Sequence, residues 1–263
     1  MKKRVFTLLA AIAILGFSLA ACNSAESTPP IENTPEQGTV DVPTPDADTD
    51  SPPSVDMTKI SADIQADPAL IGLEDNDSIL LCSKLHSGLV LNLEGEISPG
   101  LASDWQTAED ELDYVFTLNS SAAFSDGTPI TSDEVVANFE RWFNPDHPLH
   151  GTSSYEAWQF YFQGFKGETA DDGTALSFFD GIEKVDQRTF VLHLNRSYPQ
   201  LLKVLSLRQF SIVKLDSLSG DPSDIVGAGA YKVDSWDEKG LNLAPNPNFY
   251  GEQPQADLYF EFE

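Results

Sequence analysis

Several places in the sequence set reactive or ligating groups at spacings that chemistry uses. His147 and His150 stand three apart and could in principle offer two imidazoles to one metal, but prolines at 145 and 148 interrupt any helix and no cysteine is near. A solvated loop is the expected reading. Asp46, Asp48 and Asp50 alternate like the start of a calcium loop, yet Ser51 stands where the sharp-turn glycine belongs and Met57 where the bidentate glutamate belongs, so calcium is not expected. Gly227-Ala228-Gly229-Ala230 has the look of a phosphate-cradling loop, but no helix pattern and no Lys-Ser/Thr follows; nucleotide binding is rejected. Carboxylates are plentiful, with 42 acidic residues. The acid pairs fall in the N-terminal segment, in turns and at helix caps, and no nucleophile elbow, H-E-x-x-H or Ser/His/Asp spacing accompanies them, so the chain is not expected to be an enzyme or to carry a cofactor or metal.

The N-terminus carries a different chemistry. Lys2, Lys3 and Arg4 precede an apolar run over residues 5–19, too short for a permanent membrane span and right for a secretory signal. It ends in Leu19-Ala20-Ala21-Cys22, which resembles the bacterial lipobox and implies a signal peptide over 1–21 with Cys22 as the lipid-bearing residue. Two or more acyl chains hold a soluble domain stably at a bilayer. Cys82, in the apolar run Ile79-Leu80-Leu81-Cys82, is the only other cysteine. No intramolecular disulfide is then available, and Cys82 reads as a buried small hydrophobe.

Residues 22–56 change character, with prolines at 29, 30, 35, 43, 45, 52 and 53, eight acidic residues and neither basic nor aromatic ones. Such a segment cannot bury enough apolar surface to offset its ordering entropy and is expected to be a tether without fixed structure, on the order of 30 Å end to end as a flexible coil. The formal charge is −27, and losing Lys2, Lys3 and Arg4 with the signal makes it three more negative. That disfavours nucleic acid and anionic membrane surfaces as partners.

The ordered part is expected over 57–263, long enough for one substantial core. Its organising stretch is FSDGTPITSDEVVANFER, residues 124–141. Asp126-Gly127 is turn chemistry, and Thr128-Pro129 holds the chain extended before a helix. Thr131 with Glu134 three residues on predicts a capping box, and Val135, Val136, Phe139, Trp142 and Phe143 predict one apolar helix face ending at Asn144-Pro145. Leu112, Tyr114, Phe116 and Leu118 alternate with polar residues, which predicts a strand; Ile182 and Val185, then Phe190, Leu192 and Leu194, predict a hairpin. A short apolar helix over 201–207 and a final strand at 258–262 follow. The aromatics between 155 and 165 read as core by default, with Tyr155 and Trp158 as candidates for a binding platform.

The wording of these segments resembles the extracytoplasmic solute-binding proteins of the dipeptide/oligopeptide type (family 5), which serve ABC importers. The matching pieces are Asp67-Pro68; Gly88-Leu89-Val90, Gly95-Glu96-Ile97 and Pro99-Gly100-Leu101-Ala102; Phe124 to Val136 with D-G-T-P at its centre; Val185 with the hairpin strand Phe190-Val191-Leu192-His193-Leu194; and Gly229-Ala230-Tyr231 with Asn246-Pro247-Asn248-Phe249-Tyr250. Ser87, Asp104 and the segment 119–122 depart from the family pattern, with little consequence for the backbone. The resemblance implies a mixed α/β fold of the class II periplasmic-binding-protein kind, two lobes around a ligand cleft, of which this sequence covers most of lobe I and stops before lobe II.

The function so implied is capture of a peptide, or of a related solute such as a nickel chelate or sugar, outside the cell and delivery to a membrane permease driven by an ATPase subunit. By position, Gly72, Leu73, Glu74 and Tyr155 would face the ligand, with Trp158 nearby; Glu74 could pair with a ligand amine or be an exposed loop carboxylate. The implied location is the outer face of the cell membrane, or the periplasm if the host has an outer membrane, held by the lipid anchor only. A ligand-sensing or adhesive surface lipoprotein on the same fold is the alternative. The intact mass of the native mature protein tests the partial-lobe expectation: a chain longer than 263 residues, continuing into a second lobe, agrees with the importer reading, whereas a product ending at Glu263 is expected to lack high-affinity ligand binding.

Overall fold

Apolar alternation sets the strands and helical spacing sets the helices across residues 57–263, which are the residues that the computed structural model describes. Cys22, the signal, the tether and Asp46, Asp48 and Asp50 lie outside the described residues. In chain order come β1 (Met57–Ile60), a 3-10 turn at Pro68–Leu70, α1 (Asn76–Leu85), β2 (Ser87–Gly88), β3 (Val90–Leu93), β4 (Glu96–Pro99), β5 (Ala102–Thr107) and β6 (Asp113–Leu118). Then follow α2 (Ser132–Phe143), α3 (Glu156–Phe162), β7 (Phe179–Lys184), β8 (Thr189–Leu194), α4 (Leu201–Leu205), a 3-10 turn at Arg208–Phe210, β9 (Ser211–Ile212), β10 (Tyr231–Asp237), β11 (Gly240–Pro245) and β12 (Leu258–Phe262).

Two four-stranded sheets organise these elements. One is antiparallel in the order β5-β6-β8-β7. Its inward face carries Phe116 and Phe190, directly paired across β6 and β8 with stacked rings 5.4 Å apart. α2 covers that face. Its capping box forms as expected, with Thr131 N–H donating to Glu134 Oε2 at 2.9 Å. Val135, Phe139, Trp142 and Phe143 are buried, while Val136 lies at the margin of the stripe, half-buried. Phe139 stacks on Phe179 of β7 at 5.7 Å and tilts against Trp142 at 4.6 Å, so one ring ties the helix to the sheet.

The second sheet has the order β1-β12-β11-β10, with β1 parallel to β12 and the rest antiparallel. Ile60, Leu241, Leu243 and Phe260 form its own apolar cluster with Leu81 and Leu85 of α1. Cys82 is buried in α1 as expected, and burial pushes its thiol well above the usual range, so it stays protonated.

The Gly-Ala-Gly-Ala segment explains how α1 is held. A Cβ on Gly227 would sit 2.0 Å from the Leu85 carbonyl oxygen, and one on Gly229 2.2 Å from that of Lys84. Only glycine lets this backbone lie on the end of the helix, where Gly229 N–H donates to Leu85 O at 2.9 Å. The Asp126-Gly127 turn docks on the other side of the same segment: Ser125 N–H donates to Gly227 O at 2.8 Å, and Asn248 Nδ2 donates to Ser125 O at 3.1 Å. Asn246, fully buried, donates to Gly229 O at 2.7 Å. The glycines, the turn and the Asn-Pro-Asn motif are therefore one joint.

Truncating Phe139 removes the ring common to helix and sheet. In the full-length protein, Phe139→Ala is expected to lower the unfolding free energy by about 3–5 kcal/mol, read as a shift in the urea midpoint with little change in slope.

Candidate functional site

The candidate ligand residues fall on two segments that the fold brings side by side. Asp67 caps the turn Pro68–Leu70, its Oδ1 accepting from Ala69 N–H at 3.2 Å. The chain then passes through Ile71, buried, and Gly72-Leu73-Glu74 into α1. Gly72 is half-buried: its carbonyl accepts from Asp75 N–H at 3.4 Å and from Gln209 Nε2 at 3.5 Å. Leu73 packs partly on the core and Glu74 is exposed. The carboxylate of Glu156, in the first turn of α3, lies beside Gly72, with Oε2 3.5 Å from where a Cβ on Gly72 would be.

Tyr155 and Trp158 do not share that exposure. Tyr155 is 1% exposed and Trp158 2%, so within the described residues neither offers a platform to a ligand. The reason is local. Tyr155 adopts φ 48°, ψ 50° just before α3, a left-handed conformation that turns its ring inward, where it stacks on His150 at 4.0 Å. Trp158 stacks on Phe162 at 4.2 Å and donates its indole N–H to Gly164 O at 3.1 Å. The aromatic exposed on this helix is Phe160.

Beneath the two segments lies a buried ion pair. Arg141, in the last turn of α2 and 2% exposed, donates from one terminal nitrogen to Asp67 Oδ1 at 3.2 Å and from the other to Asp67 Oδ2, and its Nε donates to Leu149 O at 2.9 Å. The guanidinium also lies 5.6 Å from the centre of the Tyr155 ring. His150 donates its Nδ1–H to the Arg141 carbonyl at 2.6 Å and is buried. This corrects the solvated-loop expectation for His150. His147, three residues back, accepts from Leu149 N–H at 3.1 Å. The two imidazoles are thus spent on different backbone partners and do not form a metal pair. His86 closes the network from the other side, bonding Ala66 O at 2.9 Å; burial lowers its pKa to about 4, so it is neutral at pH 7.

Among candidate groups the sequence reading missed Glu156 and Gln209. Adjacency to Tyr155 was the one signal for Glu156; Gln209 is 137 residues from Gly72, and nothing local announces that approach.

This arrangement has a recognisable setting. Residues 96–258 match the family described as bacterial extracellular solute-binding proteins, family 5, middle region. The chain belongs to that family, a family of binding proteins and not of enzymes. It is 31% identical over 194 residues to the periplasmic murein peptide-binding protein MppA of Escherichia coli K12, covering 70% of this chain and 34% of that protein. It is 29% identical over 175 residues to the periplasmic oligopeptide-binding protein OppA of Salmonella typhimurium, covering 63% and 31%. The chain thus spans about a third of the length of these curated relatives. Among solved structures, the Escherichia coli murein tripeptide binding protein superposes with TM-score 0.60 at 26% identity over 78% of this chain and 40% of that one. HbpA2 of Haemophilus parasuis does so with TM-score 0.64 at 22% identity over 79% and 42%, a likeness of fold. The mixed α/β architecture is therefore that of family 5 binding proteins, matched over part of their length.

The buried pair supplies a stability test. Asp67→Ala leaves the Arg141 guanidinium buried without its carboxylate and is expected to cost about 3–5 kcal/mol, with part of the loss recovered in the double variant Asp67→Ala/Arg141→Met, both read by urea unfolding of the full-length protein.

Proposed function

We propose that this chain is part of the substrate-binding lipoprotein of an ABC importer, capturing peptides outside the cytoplasmic membrane and handing them to a permease and its ATPase. The observation that carries the reading is the family match over residues 96–258, and the relatives named for murein peptide and oligopeptide binding favour peptides over other solutes. The lipobox-like Leu19-Ala20-Ala21-Cys22 supports anchoring through Cys22. Among the described residues no helix is long and apolar enough to cross a membrane.

Within this reading the loop Gly72-Leu73-Glu74 is the peptide-facing edge of the lobe. Backbone groups there can pair with an extended ligand, and Glu74 can meet its amine, with Glu156 adding negative charge beside Gly72. Tyr155 and Trp158 act beneath the surface, as the packed floor that holds loop and helix together. Titration of the full-length protein with di-, tri- and tetra-alanine by calorimetry tests the proposal. Binding is expected for at least one length, and Glu74→Gln is expected to weaken it about tenfold, the worth of one charged hydrogen bond. No heat with any of the three, together with unchanged peptide import in a strain lacking the gene, would refute it.

A further inference from the structure

Three of the four histidines are accounted for by their partners. His147 and His150 bond to backbone, and His193 sets Nδ1 2.8 Å from Asp113 Oδ1, with Glu183 Oε2 3.8 Å from Nε2. His86 is different. It is 1% exposed, and because the Ala66 carbonyl can only accept, Nε2 carries the ring proton and Nδ1 a lone pair. That nitrogen is buried and has no hydrogen-bond partner among the described residues. His86 ends α1, its backbone N–H donating to Cys82 O at 3.0 Å, and β2 begins at the next residue. Gly227 lies against the ring: a Cβ there would be 2.4 Å from Nδ1 and 2.9 Å from Cε1. The same glycine accepts from Ser125 N–H, and Gly229 donates to Leu85 O, so the imidazole sits inside the joint that closes on the end of α1.

A proton on Nδ1 would place a charge and a donor against glycine backbone. The groups around the ring do little to relieve it. Asp67, on the segment before α1, favours the charged ring but is already spent on Arg141. Cys82, one turn back in α1, keeps its own proton and shares the Ala66 carbonyl with the ring at 3.4 Å; Arg208 faces Cys82 from the turn Arg208–Phe210. Lys84 of α1 is half-exposed, Ser87 of β2 meets the Tyr250 hydroxyl at 3.5 Å, and residues 226–230 bring no titratable side chain. We propose that His86 is an acid-sensitive latch: a proton taken from solvent at Nδ1 unseats the segment 227–229 from the end of α1 and lets water reach the ring. Burial lowers the pKa of the enclosed ring from 6.5 to about 4, with the Ala66 hydrogen bond and Asp67 acting the other way, and a ring hydrated by opening returns to its ordinary value. The advantage of the closed joint is therefore complete above about pH 6.5 and is lost progressively as pH falls toward 4. Unlatching frees the C-terminal end of the helix whose N-terminal end follows Gly72-Leu73-Glu74. The latch does not rest on the function proposed above.

The test is hydrogen exchange on the full-length protein and on its His86→Gln variant, whose side-chain amide can donate to Ala66 O but cannot titrate. After correction for the direct effect of pH on exchange, protection at the Ser125 and Gly229 amides is expected to fall about thirtyfold in the wild type between about pH 7.5 and about pH 5, the ratio set by the two pKa values, while the β6–β8 ladder keeps its protection. In His86→Gln the two amides should respond no more than the ladder does. A wild-type fall that the ladder shares equally overturns the proposal, because the proton then unfolds the whole domain. A fall that persists in His86→Gln, or no fall in the wild type, overturns it as well. Should His86→Gln fail to fold, His147→Gln and His193→Gln take its place: both are expected to keep the full local response, and its loss in either overturns the proposal.

Discussion

Burying a guanidinium costs free energy unless acceptors meet it, and the way Arg141 finds an acceptor for each of its three nitrogens determines how this part of the molecule is assembled. Its three nitrogens reach Asp67 and the Leu149 carbonyl, and its own carbonyl takes the His150 proton. The segment before α1, the end of α2 and the loop leading to α3 are thereby held to one point. Hydrophobic contact alone would tolerate sliding among these pieces, since dispersion is not directional, whereas a bidentate pair in a low-dielectric interior fixes orientation. Such a pair adds little net stability over a well-packed apolar substitute, so its role here is geometric.

A second joint does the same for the other half. Gly227 and Gly229 let backbone lie against the end of α1 at a distance no side chain permits, and the Asp126-Gly127 turn and Asn246 close on that backbone. The two joints flank α1. The loop Gly72-Leu73-Glu74, immediately before this helix, is thus carried on a rigid support while its own atoms remain partly open. A binding edge, the role proposed for this loop, needs both properties: preorganised backbone groups reduce the ordering cost of capture, and exposure leaves them available.

Aromatic packing completes the support. Trp158, Phe139, Phe162, Phe179 and Phe210 form a continuous set of stacked and edge contacts between α2, α3, β7 and the turn Arg208–Phe210, and Tyr155 stacks separately on His150. These contacts remove Trp158 from the surface, and those with His150 and the Arg141 guanidinium remove Tyr155. Position along the chain marks these two aromatics as candidates, but with the left-handed backbone at Tyr155 its ring faces inward.

Periodicity, caps and turn chemistry were enough, from sequence alone, to place α2 with its capping box, strand β6, the β7–β8 hairpin, strand β12 and the buried Cys82, because each depends on residues within a few positions of one another. The rejection of a phosphate loop at Gly227 followed equally from what comes next in the chain. Tertiary structure decided the rest: that Arg141 takes Asp67, 74 residues away, that Gln209 meets Gly72 across 137, that His150 is buried and that Tyr155 faces inward. These depend on which distant backbone arrives beside each side chain. Local pattern carries no record of that arrival, because the free energy that selects it is released only when the separate segments are packed together.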